Sequence, residues 1–204
     1  HLFEILSKHF SIDPSFENYN DKYYGIGFQL ISQPIQFFLE KIILVFQDVS
    51  DYGAHLLAKH FVVFISFFIS AIYVFLILSK IINNKNFLFV SIALFLLYPY
   101  LMGHAFFNPK DIPFLCFWII CTYFSLNMFE KLINNNKIIY YDIILLSFLT
   151  AFLLSIRISG ILIFIQYIIT TIIYFSLKKI ELKSLIKNNY KKFLLFVLLI
   201  TFFS

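Results

Sequence analysis

Long apolar runs separated by short polar segments constrain this chain more than any other feature of its sequence. The runs cover residues 61–79, 87–102, 112–129, 138–156, 158–177 and 193–204. About 20 predominantly apolar residues are needed to cross the hydrocarbon core of a bilayer as a helix. Because 61% of the residues are hydrophobic and only 13% are charged, a soluble domain of this length could not bury its apolar surface. The sequence therefore predicts an all-α, polytopic transmembrane helical bundle.

Three interruptions of these runs predict local structure. A single helix over 138–177 would be about 60 Å long, about twice the thickness of the hydrocarbon core, so we expect a tight reversal at 157–160. Pro99 lies near the end of the second run, where it should kink the helix or end it. Pro113 falls in the first turn of the third run, where a missing N–H costs nothing. The last run reaches the final residue and the first residue is not Met, so we expect a bundle truncated at both ends.

Residues 1–59 differ from the rest and predict an outer-face region ahead of the transmembrane helices of 60–204. This region contains seven of the eleven acidic residues. Within it, residues 25–46 are apolar but interrupted by Gln29, Gln33, Pro34, Gln36, Glu40 and Lys41. Because so many polar groups are costly in a bilayer, we predict an amphipathic segment that lies on the membrane surface. The alternative is a span whose polar face packs inside the bundle.

The lysines of the short loops predict the orientation. Loops at 80–86, 130–137 and 178–192 contain ten lysines, whereas the opposite short loops, 103–111 and 157–160, contain only Lys110 and Arg157. Positive residues concentrate on the cytoplasmic side of membrane proteins, so the second set and residues 1–59 should face outward. We interpret the basic segment 178–192 as a topology signal at anionic lipid rather than as a nucleic-acid site.

The strongest candidate site is the segment Gly-His-Ala-Phe-Phe-Asn-Pro-Lys-Asp-Ile-Pro of residues 103–113, which we expect to form a short outer loop. Asp111 falls at the start of the third run, so it is either a helix cap or an oxygen ligand for a divalent cation or polar substrate. Lys110 either extends to the interface or holds a phosphate. His104 could ligate a metal, as could His55 and His60 on the same side, although such histidines are more often hydrogen-bonded interface residues.

Arg157 is the only arginine of the chain and the second candidate. An ionisable residue at membrane depth is a functional hypothesis, and an anionic lipid headgroup or diphosphate is its natural partner. The structural alternative is a salt bridge, for which Asp111 is the candidate. Cys116 and Cys121 lie together in one apolar run without metal or redox spacing, so we interpret them as small buried residues.

Several features, taken in chain order, resemble those of a known family. They are the outer region with Tyr24-Gly25, the surface segment, two spans, Asn108-Pro-Lys-Asp111 and Arg157-Ile-Ser-Gly160. They resemble bacterial relatives of the dolichyl-phosphate-mannose–protein mannosyltransferases and of the lipid A aminoarabinose transferases. These enzymes are membrane glycosyltransferases of the GT-C fold, and the resemblance covers their N-terminal part. It implies a multi-pass protein of the bacterial inner membrane whose active face is outward.

The resemblance also implies a mechanism. Such enzymes transfer a sugar from a polyprenyl-phosphate donor, with inversion, to a lipid, glycan or protein acceptor. Asp111 matches a carboxylate that helps to organise the site, and some relatives also use a divalent metal. In this chain Asp111 and His104 are the candidate ligands for such a metal. The general base would lie before His1, since Glu4 sits in a helical stretch and is a poor substitute. Substrate contacts would come from Lys110, Arg157, Asn108, His104 and Tyr24.

Two other classes of function stay open on the sequence alone. A lipid-linked-sugar flippase or other transporter would place charged residues or broken helices near the middle of the membrane. A non-catalytic membrane protein would need no site at all. The ionisable residues here lie near the ends of the apolar runs, which favours a surface-facing enzyme.

Overall fold

The computed structural model describes residues 27–135, 139–178 and 182–203, and within these ranges the chain forms helices and no strand. The helices are α1 Gly27–Phe46, α2 Asp51–Leu78, α3 Lys85–Leu97, α4 Pro99–Phe107, α5 Asp111–Asn135, α6 Tyr140–Ile156, α7 Leu162–Lys178 and α8 Leu182–Phe203. A 3₁₀ turn, Ile158–Ile161, joins α6 to α7. The all-α prediction is confirmed for the described residues.

Several helices have the length and composition of membrane spans. Three are long and apolar enough to cross alone, namely α1, α2 and the Asp111–Lys131 part of α5. The helices α3 and α4 pass the same test as a pair and are bent by 52° at Tyr98. The kink predicted from Pro99 is therefore confirmed. The helices α6 and α7 are shorter and equally apolar.

The helix α5 lies in the centre of the bundle, parallel to α2 and packed against α6. The rings of Tyr73 and Tyr123 lie 5.4 Å apart. Seven residues further along each segment, about two helical turns, Lys80 Nζ contacts Glu130 Oε2 at 2.6 Å. The buried hydroxyl of Thr150 donates to the carbonyl of Leu146 in its own helix at 2.7 Å. Such internal bonds satisfy the polar atom in apolar surroundings, so small hydroxyl residues can lie between helices.

Ion pairs group the connecting segments at two opposite ends of the bundle. Asp111 pairs with Arg157, which brings 103–111 and 157–160 together, and we call this the Arg157 end. Lys80 pairs with Glu130, and Lys131 pairs with Asp142 at 2.7 Å, at what we call the Lys80 end. The 21 residues from Asp111 to Lys131 separate the two ends by about 30 Å, the thickness of a hydrocarbon core. The structure thus forms the same two groups as the lysine distribution, while their assignment to outside and inside stays a prediction.

The tight reversal expected at 157–160 is present. Thr150 Oγ1 and Tyr167 Oη lie 3.0 Å apart across the two helices, and the turn is closed by a hydrogen bond from the N–H of Gly160 to the carbonyl of Arg157 at 2.9 Å. A Cβ on Gly160 would come within 3.2 Å of the carbonyl oxygen of Leu153. A larger residue at this position would therefore push the turn away from α6 by a few tenths of an ångström.

Four helices extend further than the sequence predicts. The helix α5 continues to Asn135, six residues beyond the expected end, and α8 begins at Leu182, eleven residues before the expected start, so most of the loops expected at 130–137 and 178–192 is helical in the described residues.

The helix α2 begins at Asp51, ten residues before the expected start, with Ser50 as its cap, so the proposed division between 59 and 60 falls within it. The segment 103–107, expected as loop, is the second half of α4. In both segments polar residues indicated a loop, but burial decided the outcome: Ala54, Ala58 and Ala105 are fully buried.

The helix α1 combines the two alternatives for residues 25–46. Its polar side faces inward, since Ser32 and Gln36 are 1% and 2% exposed and are hydrogen-bonded to each other at 2.8 Å. Its register on α2, however, sets it at the Arg157 end and beyond it. Phe28 packs in one cluster with Ile112 and Ile156, while Glu40, further along α1, pairs with His55 in the second turn of α2. These contacts agree with an α1 that extends past the Arg157 end and does not run between the two ends of the bundle. The position of α1 relative to a bilayer stays a prediction.

Candidate functional site

The candidate site is built where α4 gives way to α5, and Asn108 shapes that connection. Its Oδ1 accepts hydrogen bonds from the backbone N–H groups of Lys110 at 3.1 Å and Asp111 at 2.9 Å. Asn-Pro sequences favour such turns because the Asn side chain replaces a backbone acceptor. The capping role considered for Asp111 therefore belongs to Asn108. The helix α5 does begin at Asp111, as expected, with Pro113 in its first turn.

The amide nitrogen of Asn108 joins two other candidate residues. It lies 2.9 Å from His104 Nδ1 and 2.9 Å from Asp111 Oδ2. Because Oδ1 is fixed as the acceptor of two N–H groups, Nδ2 must be the donor in both bonds. His104 Nδ1 is then an acceptor, so a neutral His104 carries its proton on Nε2. The imidazole ring is held between Tyr100 and Phe107, with centroids 4.4 and 5.3 Å away.

Asp111 uses its other oxygen for Arg157. The ion pair joins Asp111 Oδ1 to Arg157 Nη1, and the guanidinium carbon lies 5.7 Å from the centre of the Phe114 ring. Arg157 can reach across because it leaves the helix at the end of α6 in an extended conformation, with φ −151° and ψ 137°. The salt bridge considered as the structural alternative for Arg157 therefore exists.

The pair remains accessible. The Arg157 and Asp111 side chains are 35% and 51% exposed. Ion pairs of such exposure contribute about 0–1 kcal/mol to stability, so this pair adds little to the fold. Among the described residues, the Arg157 guanidinium donates one hydrogen bond, to Asp111, and a guanidinium has five N–H donors, so it can bind an anion while Asp111 holds it.

The other candidates lie at various distances from this cluster. Lys110 is half-buried next to Asp111. His55 pairs with Glu40 at 3.2 Å on the α1–α2 pair, and His60 lies on α2. Tyr24 and Glu4 lie outside the described residues, so their predicted roles stay untested. The structure thus brings together Asp111, Asn108, His104 and Arg157, while the substrate-binding roles of these residues stay predictions.

The cluster does not by itself fit a divalent metal ion. Hard cations need about six oxygen ligands, and the cluster offers one carboxylate whose two oxygens already accept from Asn108 and Arg157. The adjacent guanidinium would also repel a cation. No group of three or more His, Cys, Asp or Glu side chains that could hold a metal occurs in the described part of the chain. The metal considered for Asp111 and His104 thus stays a prediction from the sequence.

Sequence reasoning missed the central position of Asn108 and the contribution of Phe114. The Asn-Pro-Lys-Asp order contained the signal for Asn108, because an Asn three residues before a helical Asp is typical of a capping turn. Phe114 had no such signal. Its contact with Arg157 depends on the α6–α7 reversal, which brings residues 43 positions apart in sequence together.

Comparison with known proteins adds nothing to this geometry. No protein-family model matches the chain, and no curated protein or solved structure is significantly similar to it. Any functional argument therefore depends on the residues themselves.

Proposed function

We propose that this chain belongs to a membrane glycosyltransferase that takes a sugar from a polyprenyl-phosphate donor and acts at the Arg157 end of the bundle. The observation that carries the proposal is the accessible Asp111–Arg157 pair, held in place by Asn108. Such an arrangement offers a fixed cation to a phosphate at a membrane surface. The sequence resemblance to GT-C glycosyltransferases supports the same chemistry.

The reaction needs two kinds of group. In an inverting transfer an acceptor oxygen bonds to the anomeric carbon, the bond from that carbon to the phosphate oxygen breaks, and its electron pair stays on the phosphate. A cation that stabilises the growing negative charge lowers the barrier, and we assign this role to Arg157, assisted by Lys110. A base must also take the acceptor proton. We assign Asp111 to orienting Arg157 and organising the site.

A transporter of lipid-linked sugars is the second candidate, since the bent pair α3 and α4 resembles the broken helices of transporters. Such breaks normally surround a polar or ionisable substrate site. Around Tyr98 the side chains of Leu97, Tyr98 and Tyr100 are more than half exposed, and none of them is charged. Three ion pairs instead lie at the two ends of the bundle, namely Lys80–Glu130, Lys131–Asp142 and Asp111–Arg157. This distribution favours an enzyme that acts at one surface.

The test is sugar transfer from a polyprenyl-phosphate donor in membranes that contain the whole protein, with protein level measured alongside. Asp111→Asn should reduce the rate about a hundredfold or more, the order of loss seen when one preorganised group is removed. Protein level should stay near normal, because Asn108 provides the cap and the ion pair is exposed. If Asp111→Asn transfers sugar at the wild-type rate, the Asp111–Arg157 pair is only a structural contact. Donor translocation without transfer by the wild type would favour the transporter.

A further inference from the structure

A cleft of about 380 Å³ lies between α7 and the helices α5, α6 and α8. Its walls are apolar and include Met128, Ile143, Leu146, Phe164, Ile172 and Phe196. The helix α7 is fastened to α5 above the cleft, where Gln166 bonds to Trp118 at 2.6 Å and to Thr122 at 2.8 Å. Beyond these bonds the cleft separates α7 from its neighbours. It therefore belongs to the half of the bundle nearest the Lys80 end, away from Asp111.

A cation lies where the cleft meets the Lys80 end. Lys192 lines the cleft, and its Nζ lies 5.3 Å from the centre of the Tyr140 ring in the first turn of α6. The Lys131–Asp142 pair lies at the same end. The surrounding sequence is basic, since residues 178–192 contain six lysines and one acidic residue. An apolar cleft with a cation at its polar end matches a molecule that has a hydrocarbon chain and an anionic head.

The size of the cleft limits what can fill it. Its volume falls in the range of about 300–1,000 Å³ that is typical of small-molecule sites. The cation of Lys192 at the polar end of the apolar cleft favours an anionic lipid over an apolar helix of a further segment or of a second copy of the chain. A single acyl chain is narrow enough to enter the cleft, and lipid acyl chains surround the helices of a membrane protein.

We propose that this cleft binds an anionic phospholipid of the leaflet at the Lys80 end, with one acyl chain in the cleft and the phosphate near Lys192. The proposal is independent of the proposed transferase function, because the cleft and the Asp111–Arg157 pair lie in opposite halves of the bundle. The lipid would fill the apolar space that the described helices leave open beside α7. Bound lipid should therefore stabilise the protein.

The test is native mass spectrometry of the whole protein in detergent, titrated with phosphatidylglycerol or phosphatidylcholine, with the melting temperature measured in parallel. The wild type should bind one phosphatidylglycerol with about fivefold preference over phosphatidylcholine, as one lysine near a membrane surface provides. Lys192→Gln should remove this preference, whereas the neighbouring Lys191→Gln should keep it. Equal binding of the two lipids by the wild type would overturn the proposal.

A matched pair of isoleucines on α7 tests the position of the chain. Ile172 and Ile173 are 54% and 53% exposed, but only Ile172 lines the cleft. Ile172→Trp should abolish tight phosphatidylglycerol binding and its stabilising effect, while Ile173→Trp should keep both. Identical behaviour of the two variants would contradict the proposal, as would a dimer that excludes lipid or a preference for polyprenyl phosphate over phosphatidylglycerol. If Ile172→Trp does not fold, the comparison of Lys192→Gln with Lys191→Gln decides.

Discussion

The two ends of the bundle use the same residue types in different ways. At the Lys80 end, the Lys80–Glu130 pair joins the α2–α3 connection to α5, and the separate Lys131–Asp142 pair joins α5 to α6. At the Arg157 end, the Asp111–Arg157 pair is one part of a network that continues through Asn108 to His104. Separate pairs can fix the relative positions of helices. A connected network can also hold a charged group in a fixed direction, as binding or catalysis requires.

Two asparagines make the same comparison on a smaller scale. Asn84 caps α3 at the Lys80 end, with its Oδ1 accepting from the backbone N–H of Asn86 at 2.9 Å. Asn108 caps α5 at the Arg157 end in the same manner, but its amide nitrogen also donates to His104 and Asp111. The two residues therefore differ in the hydrogen bonds of the amide nitrogen. This difference separates capping from a role in the site.

The largest effect among the variants that probe this comparison should come from the cation. Arg157→Ala should lower kcat/KM for a polyprenyl-phosphate donor about tenfold to a hundredfold, because a hydrogen bond to a charged group contributes about 1.5–3 kcal/mol. Lys110→Ala should shift it in the same direction. Lys80→Ala, at the opposite end, should leave it unchanged. Steady-state transfer in membranes measures these values, and an equal response to Arg157→Ala and Lys80→Ala would remove the distinction between the ends.

The amide nitrogens should give the next largest effect. Asn108→Asp keeps the cap, since aspartate caps as well as asparagine does, but it removes both donors and sets a second negative charge against Asp111. We expect about a tenfold loss of transfer, on the scale of one lost hydrogen bond of about 1 kcal/mol with added repulsion. Asn84→Asp should be nearly silent. Full activity in Asn108→Asp would show that Asn108 acts only as a cap.

The smallest effect should be the loss of the caps themselves. Asn84→Ala and Asn108→Ala should each lower stability by about 1 kcal/mol, the usual value for a lost cap. Thermal unfolding in detergent measures this change. A much larger loss for Asn108→Ala alone would mean that the network supports the fold as well as the site.

The parts of the fold that follow from local sequence were predictable, and those that depend on distant partners were not. The apolar runs predicted the ends of α5, α6 and α7 to within four residues, except the C-terminal end of α5, which lies six residues further on. Pro99 predicted the kink between α3 and α4. The beginning of α2 was missed because His55 and His60 resemble loop residues, whereas buried Ala54 and Ala58 let α2 continue. The pattern of small residues four apart was the available signal.

The candidate site follows the same division. Asp111 and Arg157 were identifiable as a lone carboxylate and a lone arginine near span ends. Their pairing was considered as one alternative, but its geometry depends on the reversal that Gly160 permits. The shift of the capping role from Asp111 to Asn108 depends on side-chain directions, which residue spacing alone leaves undetermined.

The central claim is that the two ends face opposite sides of a membrane and that the Arg157 end faces outward. Ile158 and Ile81 allow a matched test, because they lie at opposite ends and are 76% and 73% exposed. In a version of the protein without Cys116 and Cys121, single cysteines at these positions are treated with a membrane-impermeant thiol reagent on intact cells. Labelling of Ile158→Cys from outside, with Ile81→Cys labelled only after lysis, is the predicted result. External labelling of Ile81→Cys with protection of Ile158→Cys would contradict the account.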